Sequence, residues 1–320
     1  MVKISIIIPV KEINDYIRKF VPIILRQSFQ NFEIIILPNQ KSTEKFKKTR
    51  IIPSGNVGPA QKRDLGVSKA RGEIIAFIDD DAYPEKDWLK KALLDFSDKE
   101  VGMVGGPNLT PKESNFFQHL SGAVLASWIV SGPVYYRYIK SKKRYCDDLP
   151  SCNLLIRKKV FLKVRGFDTS FWPGEDTKLC FDVIKNGMKI VYNPEVAVYH
   201  HRRPDLKSYL KQIFTYSKYR GFFAKKYPET SLKLSYFIPS IFVLGIMSGL
   251  ILSFFNLTFK TAYLSLLIIY FLILFLNSLK TKRLSFILPF ILTAFLTHLF
   301  YGFGFLTGLL KKELRSRYRV

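Results

Sequence analysis

The pattern of hydrophobic and polar positions divides the chain into two halves. Before about residue 205, short apolar runs alternate with longer segments whose apolar side chains recur at helical spacing. This alternation is typical of βαβ units and predicts an α/β domain with a mostly parallel sheet over residues 1–205. From about residue 231 the chain is predominantly apolar. This apolar composition predicts a transmembrane helical region over 231–320, with about three spans at 236–255, 262–279 and 284–310.

The strand with the strongest pattern is Ile74 to Ile78, where an unbroken apolar run ends on Asp79, Asp80 and Asp81. Such a run predicts a strand buried on both faces. Ligands of open α/β sheets gather beyond the carboxyl ends of such strands. Adjacent carboxylates repel one another unless a cation or hydrogen-bond donors compensate, and an oxygen-only ligand set favours Mg²⁺ or Mn²⁺ over zinc. The alternative is that one of these acids caps a following helix.

A second acidic pair, Glu175 and Asp176, follows the turn Pro173-Gly174 and opens a predicted helix. Acids in a first turn also compensate a helix dipole, so this position alone does not decide between chemistry and capping. Further along, the predicted strand Val196 to Tyr199 leads directly into His200 and His201. Lone histidines are more often structural than ligands, but these two follow a strand end and precede Arg202 and Arg203.

The cysteines predict no chemistry. They are odd in number and lack the spacing of a zinc or redox site, so no disulfide framework is implied. They are Cys146, Cys152 and Cys180.

The charge is strongly positive, with 50 Lys and Arg against 25 Asp and Glu and a formal net charge of +25. Such an excess is compatible with nucleic-acid binding, but no nucleic-acid-binding motif is recognisable. Many basic residues instead lie beside the apolar half, and over 206–230 they alternate with aromatic residues. This segment predicts an amphipathic stretch on an anionic membrane surface. We therefore favour membrane lipids and an anionic substrate as partners, and not nucleic acid.

The last apolar stretch leaves the topology open. It is interrupted by Pro289, Gly302, Gly304 and Gly308, which would allow a re-entrant pair of short helices. A re-entrant pair would return the basic tail to the inside of the membrane, as the distribution of charge around spans prefers. Without the break there are three spans, which is the arrangement that we expect.

Four motifs occur in an order that resembles a known family. ISIIIPV begins at Ile4, and GNVGPAQKRDLGVSKARGEIIAFIDDDAYP begins at Gly55. PSCNLLIRKKVFLKVRGFD begins at Pro150, and PGEDTKLC begins at Pro173. Together they resemble inverting family 2 glycosyltransferases with a GT-A fold, a Rossmann-like nucleotide-sugar-binding domain, over residues 3–205. The membrane tail is similar to that of anchored members acting on lipid-linked or cell-surface glycan acceptors.

The resemblance implies a membrane-bound enzyme that moves a sugar from a nucleotide-diphosphate donor. Its acceptor would be a lipid-linked saccharide or a polyprenyl phosphate, and the reaction a metal-assisted single displacement using Mg²⁺ or Mn²⁺. The enzyme would be a multi-pass protein of the cell membrane with its catalytic domain on the cytoplasmic side. Processive polysaccharide synthesis and a non-catalytic scaffold are the alternatives.

Carried over by position, the resemblance also implies roles for individual residues. Asp176 would be the catalytic base, with Glu175 as its acidic neighbour. Asp79, Asp81 and His200 would hold the metal. The donor would contact Pro9, Asn39, Arg63, Asp79 and Asp80, and the acceptor side would contain Asn153 and Trp172.

Two departures from the family pattern bear on specificity. The second strand usually ends on an aspartate that contacts the nucleotide base, whereas this strand ends Leu37-Pro38-Asn39. An amide can donate and accept, so either Asn39 or Gln40 is able to pair with the base. The QxxRW pattern of processive synthases is also not met, because Gln212 is followed by Tyr216. Transfer of a single sugar is therefore favoured over polymer synthesis.

Overall fold

The computed structural model describes residues 2–167 and 171–314. Two 3-10 helices, Gly132–Tyr138 and Leu284–Phe286, accompany the strands and α-helices. In chain order these are β1 (Ile4–Pro9), α1 (Asp15–Ile24), β2 (Phe32–Leu37), β3 (Thr49–Ile51), α2 (Pro59–Lys69), β4 (Ile74–Ile78), β5 (Ala82–Pro84), α3 (Trp88–Asp95), β6 (Val101–Gly105), β7 (Asn108–Leu109), α4 (Phe116–Ala126), α5 (Trp128–Ser131), β8 (Arg144–Tyr145), β9 (Asn153–Arg157), α6 (Lys158–Lys163), α7 (Glu175–Lys185), β10 (Lys189–Tyr192), β11 (Val198–His200), α8 (Leu206–Lys226), α9 (Pro228–Ser231), α10 (Leu234–Leu252), α11 (Leu257–Leu279) and α12 (Ile287–Leu310).

These elements form two compact units. The sheet unit contains residues 2–111 and 136–201, and the helical unit contains residues 112–135 and 202–314. The segment 112–135, which lies inside the predicted domain 1–205, thus clusters with the apolar helices.

The sheet unit is built on an eight-stranded sheet with the order β3-β2-β1-β4-β9-β6-β10-β8. The pairs on the β3 side are parallel, and β9 runs antiparallel between β4 and β6. Strands β1, β2 and β4 are buried along their whole length, which explains their predominantly apolar sequences. A mostly parallel α/β sheet is therefore confirmed. A second sheet has the order β5-β11-β7.

Helices cover both faces of the large sheet. Because successive side chains of a strand point to opposite faces, Ile6 and Ile7 of β1 belong to different apolar clusters. The cluster around Ile6 contains Val21 of α1, and the cluster around Ile7 contains Val67 of α2. This two-sided burial fixes where the carboxyl ends of the strands lie.

The three aspartates do not begin a helix. They are followed by strand β5, with a turn in which the Ala82 amide donates to the Asp79 carbonyl at 3.2 Å. Helix α3 begins only at Trp88. The capping alternative for Asp79, Asp80 and Asp81 is therefore wrong, and their carboxylates lie in a turn between two strands.

The helical unit contains three segments long and apolar enough to cross a membrane. They are Leu234–Leu252, Leu257–Leu279 and Leu284–Leu310. Helix α12 is continuous, which favours a full span over the re-entrant alternative. Pro289 lies in its first turn, where a missing N–H breaks no helical hydrogen bond.

The glycines of α12 are packing positions. A Cβ at Gly304 would lie 2.6 Å from the carbonyl oxygen of Phe214, and one at Gly308 would lie 1.8 Å from that of Lys218. Both carbonyls belong to α8. Small residues spaced four apart allow helix backbones to approach closely, as in membrane helix pairs. The glycines therefore hold α8 against α12.

This packing changes the interpretation of segment 206–230. Several of its aromatic side chains, which we expected at a membrane surface, are buried within the helical unit: Tyr209, Tyr219, Phe222 and Phe223. The hydroxyl of Tyr209 hydrogen-bonds that of Thr297 at 3.0 Å. The basic residues Lys207, Lys211 and Lys225 remain exposed. A contact of this segment with lipid headgroups therefore rests on its charges.

We expect Gly308→Ala to destabilise the helical unit by about 1–3 kcal/mol, because the added methyl group would overlap the α8 backbone. Gly245→Ala is the matched control, because a Cβ at Gly245 in α10 meets no atom within 4 Å. This control is expected to unfold at the same temperature as the parent or slightly higher, because alanine is the better helix former. Thermal unfolding of the full chain in detergent measures both. Equal unfolding temperatures for the two variants would contradict the close packing of α8 and α12.

Candidate functional site

The acidic strand end lies at the switch point of the sheet. From β1 the chain proceeds outward through β2 and β3, and then returns to place β4 on the other side of β1. Ligands of open α/β sheets bind beyond the carboxyl ends of strands at such a point. Pro9 is the buried last residue of β1, and Asp79 follows β4 directly. The predicted donor-binding residues Pro9 and Asp79 therefore end neighbouring strands.

A buried arginine joins the two acidic motifs. Arg63 of α2 donates from Nη2 to Oδ1 of Asp79 at 2.7 Å, and its Nη1 lies 3.3 Å from Oε1 of Glu175. Its side chain is 4% exposed. Burial alone would lower the pKa of Arg63, but Asp79, Glu175 and Asp176 raise it above the usual value. Arg63 was predicted as a donor contact, and in this structure its guanidinium pairs with these two carboxylates.

The two acids at the start of α7 have different environments. Glu175 is buried, and this burial together with Asp176 raises its pKa to about 8, although Arg63 opposes the shift. Asp176 is partly exposed, and its Oδ1 accepts a hydrogen bond from the Thr177 amide at 2.8 Å. The more accessible carboxylate of the pair is thus that of Asp176.

His200 lies beside the acidic turn because of strand pairing. The antiparallel pairing of β11 with β5 sets His200 opposite Ala82, so that its Nε2 lies 3.1 Å from Oδ1 of Asp81. Burial lowers the pKa of His200, but Asp81 and Cys152 outweigh this effect and raise it well above the usual value. The sequence prediction grouped His200 with the aspartates, and the structure brings it to Asp81.

Cys152 is a residue of this site that the sequence did not reveal. Asp79, Cys152 and His200 offer ligand atoms that all lie within 4.8 Å of one another. Carboxylate, thiolate and imidazole are all metal ligands, so this donor set fits a divalent cation. The structure thus places one cysteine, from which we expected no chemistry, among possible metal ligands. The only signal lay in the register of β9 against β4, which residue spacing does not show.

Asp80 is held apart from the other two aspartates. Its Oδ2 accepts a hydrogen bond from Nδ2 of Asn14 at 2.6 Å. Burial and the neighbouring Asp81 raise the pKa of Asp80 to about 6. The Asn14 side chain also caps α1 by accepting from the Ile17 amide. A polar residue before a helix signals such a cap, but its partner Asp80 lies 66 residues away in the sequence.

Asn39 at the end of β2 is oriented by a lysine that the sequence did not single out. Lys62 of α2 donates from Nζ to Oδ1 of Asn39 and to the carbonyl of Val10, both at 2.5 Å. Burial lowers the pKa of Lys62 to about 8. An ammonium group has no acceptor, so the oxygen of the Asn39 amide faces Lys62. Its Nδ2 donates to Oδ1 of Asn56 at 3.2 Å.

The prediction for Asn153 is wrong. Its side chain is fully buried, accepts from Nε1 of Trp88 at 2.9 Å, and donates to the carbonyls of Pro107 and Val196. An amide engaged on both atoms in the core cannot line an open acceptor side, and it instead ties β9 to its neighbours. Trp172, the other predicted acceptor residue, is partly exposed and precedes α7 by three residues.

A family model agrees with this architecture. The model described as "Glycosyl transferase family 2" matches residues 5–165, about half of the chain, which include both β4 with its aspartates and Cys152. The chain belongs to glycosyl transferase family 2. It is accordingly a glycosyltransferase with a GT-A-like fold.

Two curated relatives show how far sequence similarity extends. A dolichyl N-acetyl-alpha-D-glucosaminyl phosphate 3-beta-D-2,3-diacetamido-2,3-dideoxy-beta-D-glucuronosyltransferase of Methanococcus voltae is 26% identical, covering 96% of this glycosyltransferase and 97% of the relative. A pre-mycofactocin glycosyltransferase of Mycobacterium tuberculosis (strain ATCC 25618 / H37Rv) is 26% identical over a region that covers 55% of this chain and 37% of the relative. Similarity to the first relative therefore includes the apolar helices.

One solved structure has a fold similar to that of this chain. A crystal structure of GalNAc-T7 with UDP, GalNAc and Mn²⁺ matches with a TM-score of 0.50 and 16% identity, covering 72% of this glycosyltransferase and 51% of the other chain. At this identity the likeness concerns the fold alone.

We expect Arg63→Ala to cost about 3–5 kcal/mol of folding free energy, because removing the guanidinium leaves Asp79 and Glu175 in the site without their buried partner. Arg18→Ala is the matched control. Arg18 also pairs with two acids, Asp15 and Glu44, but it does so on the surface. Surface pairs contribute little, so this variant is expected to keep the parent stability. Thermal unfolding followed by circular dichroism compares the two. A similar effect of both substitutions would contradict the buried bridge.

Proposed function

We propose that this glycosyltransferase transfers a single sugar from a nucleotide-diphosphate donor to a membrane-associated acceptor, with inversion at the anomeric carbon. One observation carries the proposal: Arg63 bridges Asp79 at the acidic strand end and Glu175, the buried neighbour of Asp176. Displacement of a nucleoside diphosphate needs positive charge at the leaving phosphate and a base for the attacking hydroxyl. Two acidic sites, one suited to each need, match that requirement.

The donor side is assigned to the carboxyl ends of β1, β2 and β4. Asp79, Asp81, His200 and Cys152 would hold a divalent cation such as Mn²⁺ or Mg²⁺, which when bound supplies charge neutralisation of the diphosphate. Asn39, oriented by Lys62, lies where β2 ends and is assigned to the nucleotide base. Asp80 is assigned to the ribose or sugar. The nearby positive charge of Lys62 also favours a phosphate-bearing ligand.

Asp176 is assigned as the base. It accepts the proton of the acceptor hydroxyl as that oxygen attacks the anomeric carbon, and the carbon–oxygen bond to the diphosphate breaks in the same step. The buried Glu175 and Arg63 do not touch the substrate in this assignment. They position Asp176 and Asp79 through the ion pairs described above. Trp172 is assigned to packing against a sugar face.

The membrane acceptor is supported by the helical unit and by one relative. Three segments are long and apolar enough to span a membrane. The Methanococcus voltae relative, similar over nearly the whole chain, bears a name that specifies a dolichyl-linked sugar phosphate. We therefore assign a lipid-linked saccharide or polyprenyl phosphate as the acceptor class.

The enzyme is proposed to be a multi-pass protein of the cell membrane with the sheet unit in the cytoplasm, where sugar nucleotides are available. The loop between α11 and the last span carries Lys280, Lys282 and Arg283, whereas Ser253–Asn256 between α10 and α11 is uncharged. Basic loops prefer the cytoplasmic side. With three spans, the basic loop would be cytoplasmic if the chain before α10 is cytoplasmic. Lys311 and Lys312 follow the third span and would then lie on the opposite side of the membrane, against the usual preference.

We expect Asp176→Asn to reduce transfer by roughly 10²–10⁴-fold while donor binding stays intact, because the substitution removes a base and keeps the shape. Transfer is measured as nucleoside diphosphate release from UDP-sugars with polyprenyl-phosphate-linked N-acetylglucosamine, and donor binding by calorimetry. Asp182→Asn is the matched control, because Asp182 lies on the same helix and pairs with Lys178. Parent turnover in Asp176→Asn would contradict the assignment of the base.

A further inference from the structure

We propose that Cys152 is a ligand of the cation at the acidic strand end, together with Asp79 and His200, and that this sulfur makes the site prefer transition-metal ions over Mg²⁺. The inference rests on the proposed function only in that both place a cation here. The ligand set follows from the fold of the sheet unit alone. Its ligand class is a divalent ion of the Mn²⁺ to Zn²⁺ series.

Strand register explains why a sulfur lies among the acids. In the antiparallel pairing of β9 with β4, Asn153 lies opposite Ile78. The next pair outward in that register is Cys152 with Asp79, at the point where β4 ends. Pairing of β11 with β5 brings His200 to the same place from a different direction. Two independent strand pairings therefore converge on one small volume, in which the three ligand atoms lie within 4.8 Å of one another.

The surroundings of Cys152 suit a ligand. The residue is only 6% exposed. A buried thiol of this kind is a poor nucleophile, so a reactive surface cysteine is not the explanation. A bound cation would stabilise the thiolate directly, and binding would release the thiol proton. Asp79, Asp81 and the thiolate would supply the negative charge that the cation needs.

The chemistry of the donor set determines the metal preference. Mg²⁺ demands octahedral oxygen ligands and keeps several waters, whereas sulfur and imidazole nitrogen favour transition-metal ions. A site in which a thiolate and an imidazole accompany the carboxylates is therefore expected to bind Mg²⁺ weakly. Affinity in such a site is expected to rise from Mn²⁺ to Co²⁺.

The two other cysteines provide matched controls. Cys180 is fully buried in the core, where its sulfur lies 3.7 Å from Sδ of Met103. Cys146 is partly buried directly after the edge strand β8, and its amide donates to the Ile190 carbonyl of β10. Within the described residues, the metal-ligand group identified at this strand end contains neither of them.

The test is Co²⁺ titration of the full chain in detergent after removal of metals with EDTA, followed by absorption spectroscopy. Coordination by a thiolate produces a sulfur-to-cobalt charge-transfer band in the near ultraviolet. We expect the band in the parent protein and in Cys146→Ser, and its loss in Cys152→Ser. Calorimetry of the same proteins is expected to show Co²⁺ affinity reduced roughly tenfold or more in Cys152→Ser, with little change for Mg²⁺.

Co²⁺ binding to the parent without a charge-transfer band would overturn the inference, as would a band that persists in Cys152→Ser. If Cys152→Ser does not fold, the variant Cys146→Ser/Cys180→Ala, in which Cys152 is the remaining cysteine, decides the question. It must retain the band. These readouts use no sugar nucleotide, so a protein with the band but without donor binding would contradict the proposed function and leave this inference intact.

Discussion

The buried guanidinium of Arg63 is the interaction on which the arrangement of the site depends. A guanidinium in the protein interior is costly unless its charge is compensated, and here Asp79 and Glu175 accept hydrogen bonds from its two terminal nitrogens. Those partners lie 16 and 112 residues away in the sequence, on the end of β4 and the start of α7. One side chain therefore joins the two acidic motifs, for which we propose different roles. It also leaves Asp176, the neighbour of the buried Glu175, as the carboxylate that faces outward.

Strand register is the second constraint, and it determines which residues lie beside the aspartates at the end of β4. Two antiparallel strand pairings bring further residues next to these aspartates. They are Cys152, which precedes β9, and His200, which lies on β11. The antiparallel strand β9 between parallel neighbours is thus more than a topological detail, because it determines which residue meets Asp79. The next residue, Asn153, is buried in the core, where its side chain makes three hydrogen bonds that anchor this strand.

Much of this architecture could be predicted from local pattern. The apolar runs of β1, β2 and β4, the acids at both motifs and the three long apolar segments are encoded in contiguous residues, so their elements follow from the sequence. Contacts between distant segments could not be predicted in the same way. Whether Asn153 faces a cleft or the core depends on Trp88, and whether Cys152 is near an acid depends on pairing. The aromatic face of α8 failed as a membrane-surface prediction because residue types alone do not show that Gly304 and Gly308 let α12 cover it.

The account as a whole depends on metal-dependent nucleotide binding at the acidic strand end. The most direct test is thermal unfolding of the full chain in detergent with UDP, GDP, ADP, CDP or dTDP, each in the presence of Mn²⁺ or of EDTA. The account predicts that one nucleotide raises the unfolding temperature with Mn²⁺ and loses this effect in EDTA, because a ligand that binds only the folded state stabilises it. No shift with any of these nucleotides, or an equal shift in EDTA, would contradict it.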